Sequence, residues 1–129
     1  MDVQSSRRTI LIADDEPGIR RFVRASLETD YEIIEAADGR KVAGIVQSRP
    51  VDLVITDVCM PEKDGLETIQ ALRSAGRELK ILAISGAFDG LFLKAARAFG
   101  ADATLAKPFG PDELVDCVNS LLGRQAAEG

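Results

Sequence analysis

The 129-residue chain carries a formal net charge of −5 at neutral pH, and 46% of its residues are hydrophobic. This length suits one domain with its own core, and the negative charge argues against binding nucleic acid by general electrostatics. The chain contains no histidine, which excludes a Ser-His-Asp or Cys-His nucleophile, a histidine-ligated zinc and a phosphohistidine on this chain.

The start of the chain and its two cysteines indicate a protein of the cytoplasm. The polar segment MDVQSSRR precedes the apolar run TILIA, which meets Asp14 directly, so neither a signal peptide nor a membrane span is expected. Cys59 and Cys117 lie far apart and match no metal-binding spacing, which favours free thiols in a reducing compartment. We therefore expect a cytoplasmic protein without membrane insertion.

Five short apolar runs alternate with segments of helical period, a pattern typical of βαβ units and a parallel sheet. The strands that we predict are Thr9–Ala13, Tyr31–Ala36, Leu53–Thr56, Ile81–Ile84 and Ala103–Ala106. The second strand carries two glutamates and the fifth is short, so both are expected at the edges of the sheet. The fold class that follows is α/β, a doubly wound parallel sheet of five strands with helices on both faces.

The first helix is predicted to have Pro17 in its opening turn. Its apolar face consists of Ile19, Phe22, Val23 and Leu27. Three basic residues, Arg20, Arg21 and Arg24, occupy the opposite face, and we expect them to face solvent.

Proline, glycine and one aspartate mark the ends of the other helices. The predicted bounds are about Gly39 to Pro50, Asp64 as N-cap to Gly76, Leu91–Phe99, and Pro111 to about Gly123. The stretch AFDGLFLKAARAF holds more large apolar residues than one buried face needs. At least one of Phe88, Leu91, Phe92 and Leu93 is expected to be exposed, where it could serve a partner or a homodimer.

Three carboxylates follow the central strands, because Asp14 and Asp15 come after the first strand and Asp57 comes after the third. Ligands of doubly wound sheets bind at the carboxyl ends of the strands. Taken singly, each acid is most simply a solvated or helix-capping residue, but together they would repel by about 4 kcal/mol per pair. Protonation of one acid could relieve this repulsion, whereas a hard divalent cation such as Mg²⁺ would relieve all of it.

Two further polar residues are expected at the same edge of the sheet. Ser85 follows the fourth strand and Lys107 follows the fifth. An aspartate nucleophile, a bound cation, a lysine and a hydroxyl group suit phosphoryl transfer onto an aspartate, since cation and lysine stabilise charge on the phosphoryl oxygens.

Four segments, ILIADDEPGIRRFV, LVITDVCMPEKDGLE, ILAISGAF and GADATLAKPF, closely resemble the receiver domains of two-component response regulators, the CheY-like family. The resemblance covers about Thr9 to Leu122 and implies the flavodoxin-like strand order 2-1-3-4-5. It also implies that Asp57 is the phosphoacceptor. Asp15 and Asp57 would bind Mg²⁺ directly, Asp14 through water, and Cys59 through its backbone carbonyl.

The resemblance also assigns roles to the remaining polar residues. Ser85 would bind the phosphoryl group, and Lys107 would pair with it. The Lys107–Pro108 bond matches a bond that is usually cis in the family. The family commonly has Tyr or Phe three residues before the lysine, where this chain has Thr104, so an aromatic switch is not expected in its usual form.

On this basis we expect residues 1–129 to be a single, stand-alone receiver domain with a core of about residues 9–122. It would not be an enzyme, beyond self-phosphorylation from small donors and autodephosphorylation. The phosphoryl donor would be a sensor histidine kinase or a histidine phosphotransfer protein, with docking near the arginines of the first helix as one option. A downstream protein target would receive the signal or the phosphoryl group.

Two other functions stay open at this point. A Mg²⁺-dependent phosphatase with an aspartyl intermediate would share the acids and the cation, but haloacid dehalogenase enzymes place the nucleophile in DxDx after the first strand, and ADDEPG fits this poorly. A binding module that works without phosphorylation is the other alternative, and the intact set of acids, serine and lysine argues against it.

Overall fold

The computed structural model describes residues 7–58, 65–75, 78–86 and 90–123. Its strands are β1 (Thr9–Ala13), β2 (Glu32–Ala36), β3 (Leu53–Asp57), β4 (Lys80–Ser85) and β5 (Ala103–Ala106). They form one parallel sheet in the order β2-β1-β3-β4-β5. The predicted fold class and strand order are confirmed, with β2 and β5 at the edges.

Two strands continue one residue further toward their carboxyl ends than we predict. Asp57 lies opposite Ile84 in the pairing of β3 with β4, and Ser85 lies opposite Ala106 in the pairing of β4 with β5. Strands pair through backbone N–H and C=O groups, which a polar residue carries as well as an apolar one. A polar residue can therefore end a buried strand. Each of these polar side chains is therefore held by a central strand rather than by a loop.

The helices lie between the strands in the predicted order. They are α1 (Pro17–Leu27), α2 (Val42–Ser48), α3 (Gly65–Ser74), α4 (Gly90–Phe99) and α5 (Pro111–Leu121). The prediction of an α-helix from Gly39 is wrong, because a 3-10 turn at Gly39–Lys41 precedes α2, and the carboxylate of Asp38 accepts a hydrogen bond from the backbone of Arg40 there. The expected helix ends at Asp64 and Gly76 lie outside the described residues. In the part of the chain that the structure describes, no helix has the length and apolarity needed to cross a membrane.

Two hydrophobic cores cover the two faces of the sheet, since successive strand residues point to opposite sides. One core packs α1 and α5 against Ile10, Ile12, Ile55 and Ile84, and the other packs α2, α3 and α4 against Leu11, Ala13, Val54 and Ile81. The predicted apolar face of the first helix lies in the first of these cores. Because both faces of β1, β3 and β4 are covered, polar chemistry is confined to the strand ends.

The apolar stretch around α4 is only partly described. Phe88 and the side chains of Leu91 and Phe92 lie outside the described residues. Leu93 packs against the core, whereas Phe99, at the end of the helix, is 41% exposed. The expectation of an exposed apolar residue among the first four stays a prediction.

The arginines of α1 do not all face solvent, which corrects the prediction. Arg20 Nε lies 3.1 Å from one carboxylate oxygen of Glu35, and Arg24 Nε lies 2.7 Å from the other. These contacts attach α1 to the edge strand β2, so that Arg20 and Arg24 are partly buried and Arg21 is exposed. The side-chain hydrogen bond from Arg24, together with that from Arg20, holds the pKa of Glu35 below its usual value of 4.5.

Replacement of Glu35 by glutamine tests the attachment of α1 to β2. We expect Glu35→Gln to lower the free energy of unfolding at neutral pH by about 1 kcal/mol, because a partly exposed network of ion pairs contributes little more than this to stability. Because the folded-state pKa is lowered, this stability is present above pH 4.5 and is lost as the pH falls through the folded pKa. Urea denaturation across this range should show the difference from wild type shrinking in acid.

The matched control is Glu32→Gln, which removes an exposed glutamate from the same strand. Equal losses of stability in the two variants, or a loss in Glu35→Gln that does not vary with pH, would contradict the assignment.

Candidate functional site

The polar residues that end or follow the strands meet at the carboxyl edge of the sheet. Asp57 and Ser85 are the last residues of β3 and β4, whereas Asp14 and Lys107 directly follow β1 and β5. Parallel strands bring these ends together, as the sequence predicts. Asp57 and Ser85 are 5% and 4% exposed, so both residues of the site are buried.

Three carboxylates form the acidic cluster of this site. Asp14, Asp15 and Asp57 each offer an oxygen, and these oxygens all lie within 4.8 Å of one another. Asp14 and Asp57 are buried, whereas Asp15 is exposed at the rim. Charges of one sign at this separation destabilise the fold unless cations compensate them.

Lys107 supplies that compensation. Its ammonium nitrogen lies 2.9 Å from Asp57 Oδ2 and 3.1 Å from Asp14 Oδ2. Burial alone would lower the pKa of Lys107, but the hydrogen bond that it donates to Asp57 and the attraction of both acids outweigh burial and raise the pKa. One ammonium against three carboxylates leaves the site with an excess of negative charge.

Asp14 is the most deeply buried of the three acids. It is fully buried, and its Oδ1 accepts a hydrogen bond of 2.9 Å from the backbone of Glu16. Its Oδ2 is close to Lys107 but lacks hydrogen-bond geometry and has no other partner among the residues described. Burial is the main cause that raises the pKa of Asp14, ahead of the lowering by Glu16 and Lys107.

These residues fit a hard divalent cation. The donors are carboxylate oxygens, the ligands that Mg²⁺ prefers, and Asp14 Oδ2 is a buried acceptor that the protein leaves without a hydrogen bond. Asp14, Asp15 and Asp57 could hold such an ion between them. Cys59, whose carbonyl we predict as a further ligand, lies outside the described residues.

Backbone contacts place the lysine next to the end of β4. The N–H of Lys107 donates to the carbonyl of Ser85 at 2.9 Å, and a Cβ added at Gly86 would lie 3.3 Å from Cβ of Lys107. The Lys107–Pro108 bond is cis, as the sequence resemblance implies. Glycine at position 86 therefore leaves room for the stem of Lys107 as it crosses toward the acids.

Thr104 lies in β5 opposite Ala83 and is half-buried. It occupies the position where an aromatic residue is expected from the resemblance.

Two residues of the site are not among those that we predict from sequence. Glu16 places Oε1 3.4 Å from the ammonium of Lys107, and Arg20 donates to the backbone carbonyl of Asp14 at 2.7 Å. The acidic run Asp14-Asp15-Glu16 is a signal for the first. The sequence gives no such signal for Arg20, because its position on the polar face of the first helix predicts only contact with solvent.

Comparisons with known proteins point to one family. Residues 10–119 match the model of the response regulator receiver domain. The chain is 37% identical over 123 residues to response regulator Rre1 of Synechocystis sp., covering 92% of this chain and 53% of that protein. It is 38% identical over 116 residues to response regulator MprA of Mycolicibacterium vanbaalenii, covering 89% of this chain and 50% of that protein. The chain thus spans about half the length of these relatives.

A similar solved structure is that of the chemotaxis protein CheY4 of Vibrio cholerae. It superposes with a TM-score of 0.83 at 30% identity, and the alignment covers 90% of this chain and 99% of that one.

Neutralising Asp14 tests the repulsion within the acidic cluster. In metal-free buffer at neutral pH we expect Asp14→Asn to raise the free energy of unfolding by about 1–2 kcal/mol, because the amide removes a poorly compensated buried charge. The raised pKa makes this gain largest at neutral pH, and the gain should vanish below the usual value of 3.8, where the acid is protonated in both folded and unfolded states. Urea denaturation measures both effects.

Asp15→Asn is the matched control, since that carboxylate is exposed and should give a smaller gain. Destabilisation by Asp14→Asn at neutral pH would contradict the account of the cluster.

Proposed function

The chain belongs to the family of response regulator receiver domains, and we propose that it accepts a phosphoryl group on Asp57 in a Mg²⁺-dependent reaction. The observation that carries this proposal is the position of Asp57. Its carboxylate ends the buried strand β3, lies 2.9 Å from Lys107, and shares an acidic cluster with Asp14 and Asp15.

In this proposal Asp14, Asp15 and Asp57 hold the Mg²⁺ ion, with Asp14 acting through water and the backbone carbonyl of Cys59 as a further ligand. When bound, the ion supplies positive charge to oxygens of the transferring phosphoryl group. The carboxylates are held by strand ends and by the turn before α1, so little rearrangement of the backbone is needed to bind it.

The reaction is a displacement at phosphorus. An oxygen of the Asp57 carboxylate forms the new P–O bond, and the bond from phosphorus to the donor breaks with its electron pair leaving on the donor. For a phosphohistidine donor the leaving group is the imidazole, and for an acyl phosphate it is the carboxylate. Lys107 donates to a phosphoryl oxygen from its present place beside Asp57, and Ser85 offers a second donor from the end of β4.

The chain has no histidine, so the donor must be another molecule. We propose a histidine kinase or a histidine phosphotransfer protein in the cytoplasm, and output through contact with a downstream protein. Half-buried Thr104 replaces the usual aromatic residue, so we propose that coupling runs from Ser85 to the backbone of Lys107, which already shares a hydrogen bond with it.

Incubation with Mg²⁺ and acetyl phosphate tests this function. We expect the intact mass to rise by one phosphoryl group, and the adduct to be labile to alkali as an acyl phosphate is. Chelation of Mg²⁺ should abolish this gain in mass, because no divalent cation then offsets the charge of the acids and of the phosphoryl group.

Asp57→Asn should give no adduct. Asp116→Asn, which removes an exposed aspartate of α5, should react like the wild type. An unmodified wild type, or an equal adduct on Asp57→Asn, would contradict the proposal. Many turnovers of a phosphate ester per protein molecule would favour the phosphatase instead.

A further inference from the structure

Arg20 connects the acidic cluster to the edge of the sheet. From α1, its Nε donates to Glu35 on β2 at 3.1 Å, and another nitrogen of the same guanidinium donates to the backbone carbonyl of Asp14 at 2.7 Å. The side chain is only 17% exposed. The proposed function assigns no role to this arginine.

The carbonyl of Asp14 needs such a partner because of where β1 ends. The strand ends at Ala13, and the N–H of Asp14 still donates to the carbonyl of Ala36 at 3.1 Å. Its own carbonyl lies past the last residue of the strand, and Asp14 is fully buried. Arg20 therefore donates a hydrogen bond to a buried backbone carbonyl that has no partner within the sheet.

This contact also orients the residue that follows. The carbonyl of Asp14 and the amide of Asp15 belong to one rigid peptide plane. A donor that fixes the carbonyl of Asp14 therefore fixes the orientation of this peptide plane. The orientation of the plane in turn determines the direction of the exposed carboxylate of Asp15. The same guanidinium thus acts on two of the three acids of the cluster.

Glu35 keeps the guanidinium of Arg20 in this place. Its carboxylate is shared between Arg20 and Arg24, the latter at 2.7 Å. The planar fork of an arginine can serve two acceptors at fixed angles. Arg24 also donates to the carbonyl of Ile33 at 3.4 Å and lies 3.9 Å from the carboxylate of Glu28, and neither partner belongs to the acidic cluster.

We propose that Arg20 is a positioning residue for the Mg²⁺ site, acting through the backbone of Asp14 and held by Glu35. The inference rests on the proposed function, because it assumes that the acidic cluster binds Mg²⁺.

Charge and position predict opposite results when Arg20 is removed. Loss of a positive charge near the acids would by itself make the cluster more attractive to a divalent cation, and binding would become tighter. Loss of the hydrogen bond to the carbonyl of Asp14 lets the Asp14–Asp15 peptide rotate, and Mg²⁺ binding becomes weaker because its ligands are no longer held in place. The sign of the change in affinity therefore separates the two roles.

The experiment is a calorimetric titration of the full chain with Mg²⁺ in the absence of any phosphoryl donor, on wild type, Arg20→Met and Arg24→Met. The two variants lose the same charge from the same helix and the same partner, Glu35, but only the first loses the contact with Asp14. We expect Arg20→Met to bind Mg²⁺ about tenfold more weakly, the range found when a group that orients a metal ligand is removed. Arg24→Met should stay close to wild type.

Equal affinities for the two variants, or tighter binding by Arg20→Met, would overturn the proposal. Thermal unfolding shows whether both variants fold. If Arg20→Met does not fold, Arg20→Lys takes its place, since lysine keeps the charge but lacks the planar guanidinium that serves two acceptors. We expect Arg20→Lys to bind Mg²⁺ more weakly than the wild type. Wild-type affinity in that variant would equally overturn the proposal. A wild type that does not bind Mg²⁺ at all would contradict the proposed function itself.

Discussion

The ion cluster between Lys107 and the carboxylates of Asp14 and Asp57 is the interaction on which the site depends. Three acids within 4.8 Å repel one another, and two of them are buried, where water cannot screen the repulsion. The ammonium of Lys107, within 3.1 Å of both buried acids, offsets part of this cost. The remaining excess of negative charge is what suits the cluster to a divalent cation.

The parallel sheet explains how such an unfavourable arrangement persists. Both faces of the central strands are packed with apolar side chains, and the free energy of that burial stabilises strand ends that carry charge. Around the acids, backbone groups limit the freedom of each residue. The backbone N–H of Glu16 donates to the carboxylate of Asp14, Arg20 donates to the backbone carbonyl of Asp14, and the N–H of Lys107 donates to the carbonyl of Ser85. The acids are thus held close together by hydrogen bonds to and from the backbone.

The sequence predicts most of the fold and the central residues of the site, and the misses have identifiable causes. Apolar runs of this length predict the strands because they are buried on both faces. The predicted ends at Thr56 and Ile84 are one residue short because a polar side chain resembles a loop residue. The sequence predicts solvent-facing arginines on α1 because helical spacing shows which face is polar but not which strand lies opposite. Glu35, on the edge strand, is the partner that spacing could not reveal.

The sequence by itself determined the fold class, the gathering of Asp14, Asp57, Ser85 and Lys107 at one edge, and the resemblance to receiver domains. These follow from local periodicity and from the rule that parallel strands end together. Only the tertiary structure decided which atoms meet. It pairs Lys107 with both buried acids, brings Glu16 to the same ammonium, and sets Arg20 between Glu35 and the carbonyl of Asp14. Such contacts depend on side-chain directions and on strand twist across residues far apart in the chain, which no local pattern encodes.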